Sequence, residues 1–196
     1  MLGTMNGCSE RRPRKEHPRS APQICSVALA LLASLVAGTV SAADSPCKPV
    51  FDAITRLVKT PNHQYLTQSS DAPGSTPHAS EMIFTGKTTY IMHDGKWEKS
   101  SMTPDETVKR DEENRKHSKT NCRLLRSEPV DGVSASVYTL NSDSEYGKSQ
   151  GQIWISNMDA LPLRQQIDLI VEGAAGKTHV ETRFVYSGVA APAGVK

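Results

Sequence analysis

An α+β fold carrying a mostly antiparallel sheet is predicted for this 196-residue chain by three features: one amphipathic helix early on, a run of short β-branched and aromatic segments joined by tight turns, and one polar helix inserted among them. Strands that follow one another without alternating helices pair as hairpins, and the helices then gather on one side of the sheet.

The chain opens on a leader rather than on a structural element. Residues 24–43, ICSVALALLASLVAGTVSAA, are uncharged and apolar and follow Arg11, Arg12, Arg14, Lys15 and Arg19. A basic stretch, a short apolar run and closing small residues read as a secretory signal peptide. Gly38, Thr39 and Ser41 break the run too early for a bilayer-spanning helix. Cleavage is expected near Ala42/Ala43. Pro13 after the Arg11-Arg12 pair favours ordinary Sec export over a twin-arginine route, and neither Cys25 nor Cys47 follows the small-residue run of a lipid-modified cysteine, so no stable membrane anchor is expected. The protein is then periplasmic or secreted. Residues 44–190 form one α+β domain, long enough to bury a core, and 191–196 form a flexible tail.

The leader also accounts for the charge. Its five Lys/Arg against Glu10 and Glu16 give +3 of a total of +2, so the remaining chain stands near −1. A nearly neutral domain with no dense Lys/Arg patch excludes nucleic acid as a partner. Of four cysteines, Cys47 and Cys122 remain beyond the leader. In an oxidising compartment an isolated pair forms a bridge, worth roughly 4 kcal/mol in the chain-entropy model for a loop of this size. Two separate buried thiols are the competing arrangement.

The first helix is expected over residues 49–60, where Val50, Ile54, Leu57 and Val58 share one face; Pro49 suits the first turn and Pro61 stops it. Residues 63–69 and 81–90 then read as strands around the polar loop 70–78. Residues 90–93 and 96–99 flank Asp94-Gly95, a strong two-residue hairpin signal. Thr103-Pro104-Asp105-Glu106 is a capping box with proline at the first helical position, opening a helix that runs to about His117. Its only apolar residue is Val108, so it is expected to lie on the surface as a lid or spacer. Strands follow at 122–128, 133–140, 152–156, 163–171 and 179–186, with Asp131-Gly132 as a second tight turn.

Chemistry-bearing motifs are scarce. His63, His78, His93, His117 and His179 show no metal-ligand spacing, and no metal or cofactor is implied. No G-x-S-x-G elbow occurs. Asp111-Glu112-Glu113 lacks the glycine-bearing turn of a calcium loop and reads as a solvated helix face. Gly173 and Gly176 suit a hairpin connection rather than a phosphate loop. No enzymatic activity is expected.

One stretch is more specific. GQIWIS at 151–156, LPLRQQID at 161–168 and TRFVY at 182–186, preceded by VYTL at 137–140, resemble the periplasmic lipoprotein-carrier superfamily, the LolA/LolB/LppX-like proteins. The resemblance implies a strongly curved antiparallel sheet, an incomplete barrel, whose apolar face is covered by helices and holds acyl chains. Trp97, Tyr138, Trp154, Ile155 and Phe184 are the expected ligand-lining residues, with a structural role as ordinary core equally open. Only 5% of residues are aromatic and the second helix is too polar to plug a wide pocket, two departures from that pattern. The chain is therefore expected to be an exported non-enzymatic binding protein that carries a lipid, a lipoprotein or another apolar ligand. The alternative is an envelope interaction module with a solid core and no ligand cavity.

Overall fold

The computed structural model describes residues 45–145, 147–171, 173 and 176–195, which form one compact unit. The expected signal peptide and its cleavage site lie outside the described residues. Two helices and nine strands follow in the order α1 (Lys48–Lys59), β1 (Asn62–Ser70), β2 (His78–Phe84), β3 (Thr89–His93), β4 (Lys96–Lys99), α2 (Pro104–Lys116), β5 (Ser118–Val130), β6 (Val133–Ser144), β7 (Gly147–Ser156), β8 (Pro162–Ile170) and β9 (Thr178–Val185). All neighbouring strands are antiparallel and make one sheet ordered β4-β3-β2-β1-β9-β8-β7-β6-β5. β4 and β5 are its two edges, so the barrel is not closed. Register shifts at Leu124/Arg126 and Trp154/Ile155 bend the strands and add twist. This is the α+β architecture with an unclosed curved sheet that the residues and the resemblance lead one to expect.

Turn chemistry sets much of the register. Asp94-Gly95 and Asp131-Gly132 all have positive φ, the geometry of two-residue turns whose twist matches the flanking strands. One expected strand is two. Residues 81–90 divide into β2 and β3, because the Thr85 amide donates to the Thr88 carbonyl and Gly86 turns the chain at φ 93°. Residue 78, expected in the loop, and residues 79–80, outside the expected strand, belong to β2, and residues 141–144 and 147–151, outside the expected strands, extend β6 and β7 through the pairs Asn141–Gln150, Ser142–Ser149 and Asp143–Lys148. Ladder hydrogen bonds decide such segments once their neighbours are in place.

The two sides of the sheet differ. On the helix side, α1 lays Val50 and Ala53 on Cys122, Ile153 and Ile155, with Phe51, Ile54, Tyr138 and Leu140 packed around them. The Cys47–Cys122 disulfide, with Cα atoms 4.9 Å apart, fastens the start of α1 to β5. Asn62, almost fully buried, holds the other end by donating to the Leu57 and Thr60 carbonyls. On the opposite, open side a smaller cluster of Ala135, Val137 and Trp154 is flanked by Val130 and Leu163. The hairpin between β5 and β6 reaches over this side, bringing Asp131 to 3.5 Å from Arg183 of β9. No helix among the described residues is long and apolar enough to cross a membrane.

Candidate functional site

Period-2 alternation sends neighbouring residues of each strand to opposite sides, so cross-strand partners can be followed across the sheet as rows. On the helix side, Ile153–Gln165–Thr182–Leu66–Ser80 is one row, and Gly151–Ile167–Val180–Gln68–His78 is the next. A third, Phe184–Gln64–Met82–Ile91–Glu98, runs towards the β4 edge. α1 makes its main sheet contacts with β7 and β8, and α2 with β5. Beyond them Leu66, Met82, Ile91 and Val180 line a hollow of about 310 Å³ together with Gln68, His78, Ser80 and Glu81. Ile91 is exposed there, and so is Leu169 farther along β8.

The open side is polar. Arg123–Thr139–Gln152–Gln166–Glu181–Thr67 forms one continuous row and Asn121–Asn141–Gln150–Asp168–His179–Ser69 another, each crossing six strands. They line a trough of about 580 Å³ over β5 to β8 and a second hollow of about 340 Å³ over β8, β9 and β1, sharing Gln166 and Asp168. His179 is held between two carboxylates, with Nδ1 2.6 Å from Asp168 and Nε2 3.1 Å from Asp71. The hydrogen bond to Asp168 raises the pKa of His179, with a smaller contribution from Asp71, and the same bond lowers that of Asp168. Both ring nitrogens face carboxylates, which favours the imidazolium. Among the described residues no group of three or more His, Cys, Asp or Glu side chains is arranged to hold a metal ion.

The structure separates the residues expected to line a ligand. Tyr138, Ile155 and Phe184 lie on the helix side; the first two pack with α1 and border a hollow of about 440 Å³ beside Pro49, Asp52 and Arg56. Trp154 lies on the open side, nearly buried, with Arg164 stacked over its ring and Nε1 donating to Glu128. Trp97, half-buried on β4, meets His63 edge-on, and His63 in turn stacks on Tyr65 and bonds Glu81. The two polar rows were not anticipated from the sequence. Their trace is a polar pair two residues apart in each of six strands, such as Gln150/Gln152 and Gln166/Asp168.

No family model matches the chain, and no curated protein matches it. Solved structures similar to it include LprF from Mycobacterium bovis, at 11% identity and TM-score 0.38, covering 73% of this chain and 94% of that one. A LolA superfamily protein from Nitrosomonas europaea matches at 9% identity and TM-score 0.25 over 69% and 90% of the two chains. MucB in complex with MucA(peri) matches at 15% identity and TM-score 0.39; 73% of this chain spans 57% of that one. The Cys47–Cys122 bridge accords with an extracytoplasmic compartment.

Proposed function

We propose that this chain is an exported, non-enzymatic binding protein that lays an apolar chain, the acyl chain of a lipid or lipoprotein, along the uncovered strip of the helix side. Export would use the signal peptide at 1–43, cut near Ala42/Ala43. The observation that carries the proposal is the hollow of Leu66, Met82, Ile91 and Val180, an apolar floor that α1 leaves open while it covers the neighbouring rows. Each methylene taken from water there stabilises the complex by about 0.8 kcal/mol. In this scheme Phe184 shares the row of Met82 and Ile91, Tyr138 and Ile155 pack beneath α1 away from the strip, and Trp97 and Trp154 serve the other side of the sheet.

The test is native mass spectrometry of protein purified from its own envelope, with lipid extraction of what accompanies it. An acyl lipid should accompany the wild type and be lost from Leu66→Arg, whose disulfide and circular dichroism should stay unchanged. Polypeptide mass alone, with no palmitate taken up on incubation, overturns lipid carriage. That result would favour the second reading, an envelope interaction module, for which the solid packing beneath α1 speaks.

A further inference from the structure

We propose that the trough on the open side is a binding site for a neutral linear oligosaccharide, laid across the strands from β5 to β1. This does not depend on what occupies the helix side. The two polar rows cross six strands, a span of about 24 Å at the usual strand spacing. That suits an extended chain of several sugar units better than a compact ligand.

Its chemistry selects hydroxyls. Asn121, Asn141, Gln150, Gln152 and Gln166 each offer a donor and an acceptor, and Thr67, Ser69 and Thr139 add hydroxyls. A sugar hydroxyl is itself donor and acceptor, so amides match it in either orientation. Asn121 and Asn141 are exposed and Gln166 is half-buried, so their amides face the trough. Asparagine is depleted in strands, yet Asn121 and Asn141 face each other in a regular pair. A merely solvated sheet face would do as well with Thr and Lys, and the two rows contain no lysine.

Other ligands fit worse. Neither row contains an aliphatic side chain, so an acyl chain would cover amides and leave them unpaired. On this face Arg123, Arg164 and His179 stand against Asp168, Glu181 and Asp71, with Arg164 paired to Glu181, so the trough carries no large net positive charge for a phosphate-bearing polymer. Tyr65, 42% exposed and stacked on His63 at 4.2 Å, lies one row beyond Thr67 on the same side of β1.

The probes are a glucose hexamer and an N-acetylglucosamine hexamer, titrated into the ¹⁵N-labelled folded domain to about 5 mM, a range that reveals millimolar affinity. At least one should shift the side-chain amide signals of Asn121, Asn141 and Gln166 together, leaving those near Leu66 and Val180 unmoved. Asn141→Ala and Gln166→Ala should each weaken that binding about three- to tenfold, the effect of one lost hydrogen bond. Leu66→Ala should leave it unchanged, which separates this site from the helix side. If neither sugar shifts these signals, or if the shifts fall on the helix side, the proposal is overturned. Should a variant fail to fold, the wild-type titration decides alone.

Discussion

α1 starts at Cys47 with no side-chain cap, whereas α2 starts at Thr103 with both halves of a capping box in place. Their interiors reverse the contrast: α1 buries Val50 and Ala53 completely, and α2 buries no residue fully. α1 is held by the sheet and by a disulfide, α2 by its own ends and by surface pairs such as Asp111–Arg115 and Glu113–Lys116. Where α2 meets its neighbour, the Arg115 guanidinium lies over the Phe51 ring of α1 at 4.8 Å. Helices in proteins draw most of their stability from packing an apolar face rather than from local signals. α1 is therefore part of the cooperative unit, and α2 is an accessory that can open without it.

Ile153→Ala strikes the packing that holds α1, and it should have the largest effect. Ile153 is 1% exposed beneath α1, so a cavity there should cost about 2–5 kcal/mol, read as a lower urea midpoint with unchanged slope. Reducing the Cys47–Cys122 bridge should come next, with a loss of at most about 4 kcal/mol for a separation of 75 residues, since residual structure in the unfolded chain lowers the chain-entropy figure. The sheet should persist, because β6, β7 and β8 pair along their lengths without it. Intact mass after alkylation of unreduced, folded protein checks the bond, and two modified cysteines would remove the fastening from the comparison. A urea midpoint indifferent to both changes would show that α1 is no better anchored than α2.

Both helices were legible in the sequence, each through a different signal: the i, i+4, i+7 spacing of Val50, Ile54 and Leu57, and the Thr103–Glu106 box. Each end fell within one residue of expectation. The Asp-Gly turns fixed two hairpins, because only a few residues tolerate positive φ there. Ala53 went unseen, since a small residue gains its place in a core only from what packs above it. The candidate sites were less legible for a related reason. An aromatic residue announces burial but not which side of a sheet it serves, so Trp154 and Ile155, adjacent in sequence, were grouped although alternation sends them apart. The trough was hidden because amides two residues apart look like ordinary solvated strand until six strands align them.

The smallest effect expected is confined to α2 and appears with pH. The Glu106 carboxylate accepts from the Thr103 backbone amide at 2.8 Å and from its hydroxyl, and these bonds hold its pKa below the usual carboxylate value. A hydrogen bond from Lys116 lowers that of Glu113 in the same way near the other end. A carboxyl whose pKa is lower folded than unfolded stabilises the fold above its unfolded pKa, and that contribution fades as pH falls through the folded value. α2 should therefore loosen in acid below the ordinary carboxylate range, while amides of α1 and of the β6–β7 pair keep their protection. Thr103→Ala should reproduce the loosening at neutral pH, at a local cost of about 1 kcal/mol, and flatten the acid response of the first turn. Hydrogen exchange resolved by segment is the measurement. If α2 amides are protected as strongly as those of β6 at neutral pH and stay so in acid, α2 is docked as firmly as α1, and the lid or spacer role expected of it falls.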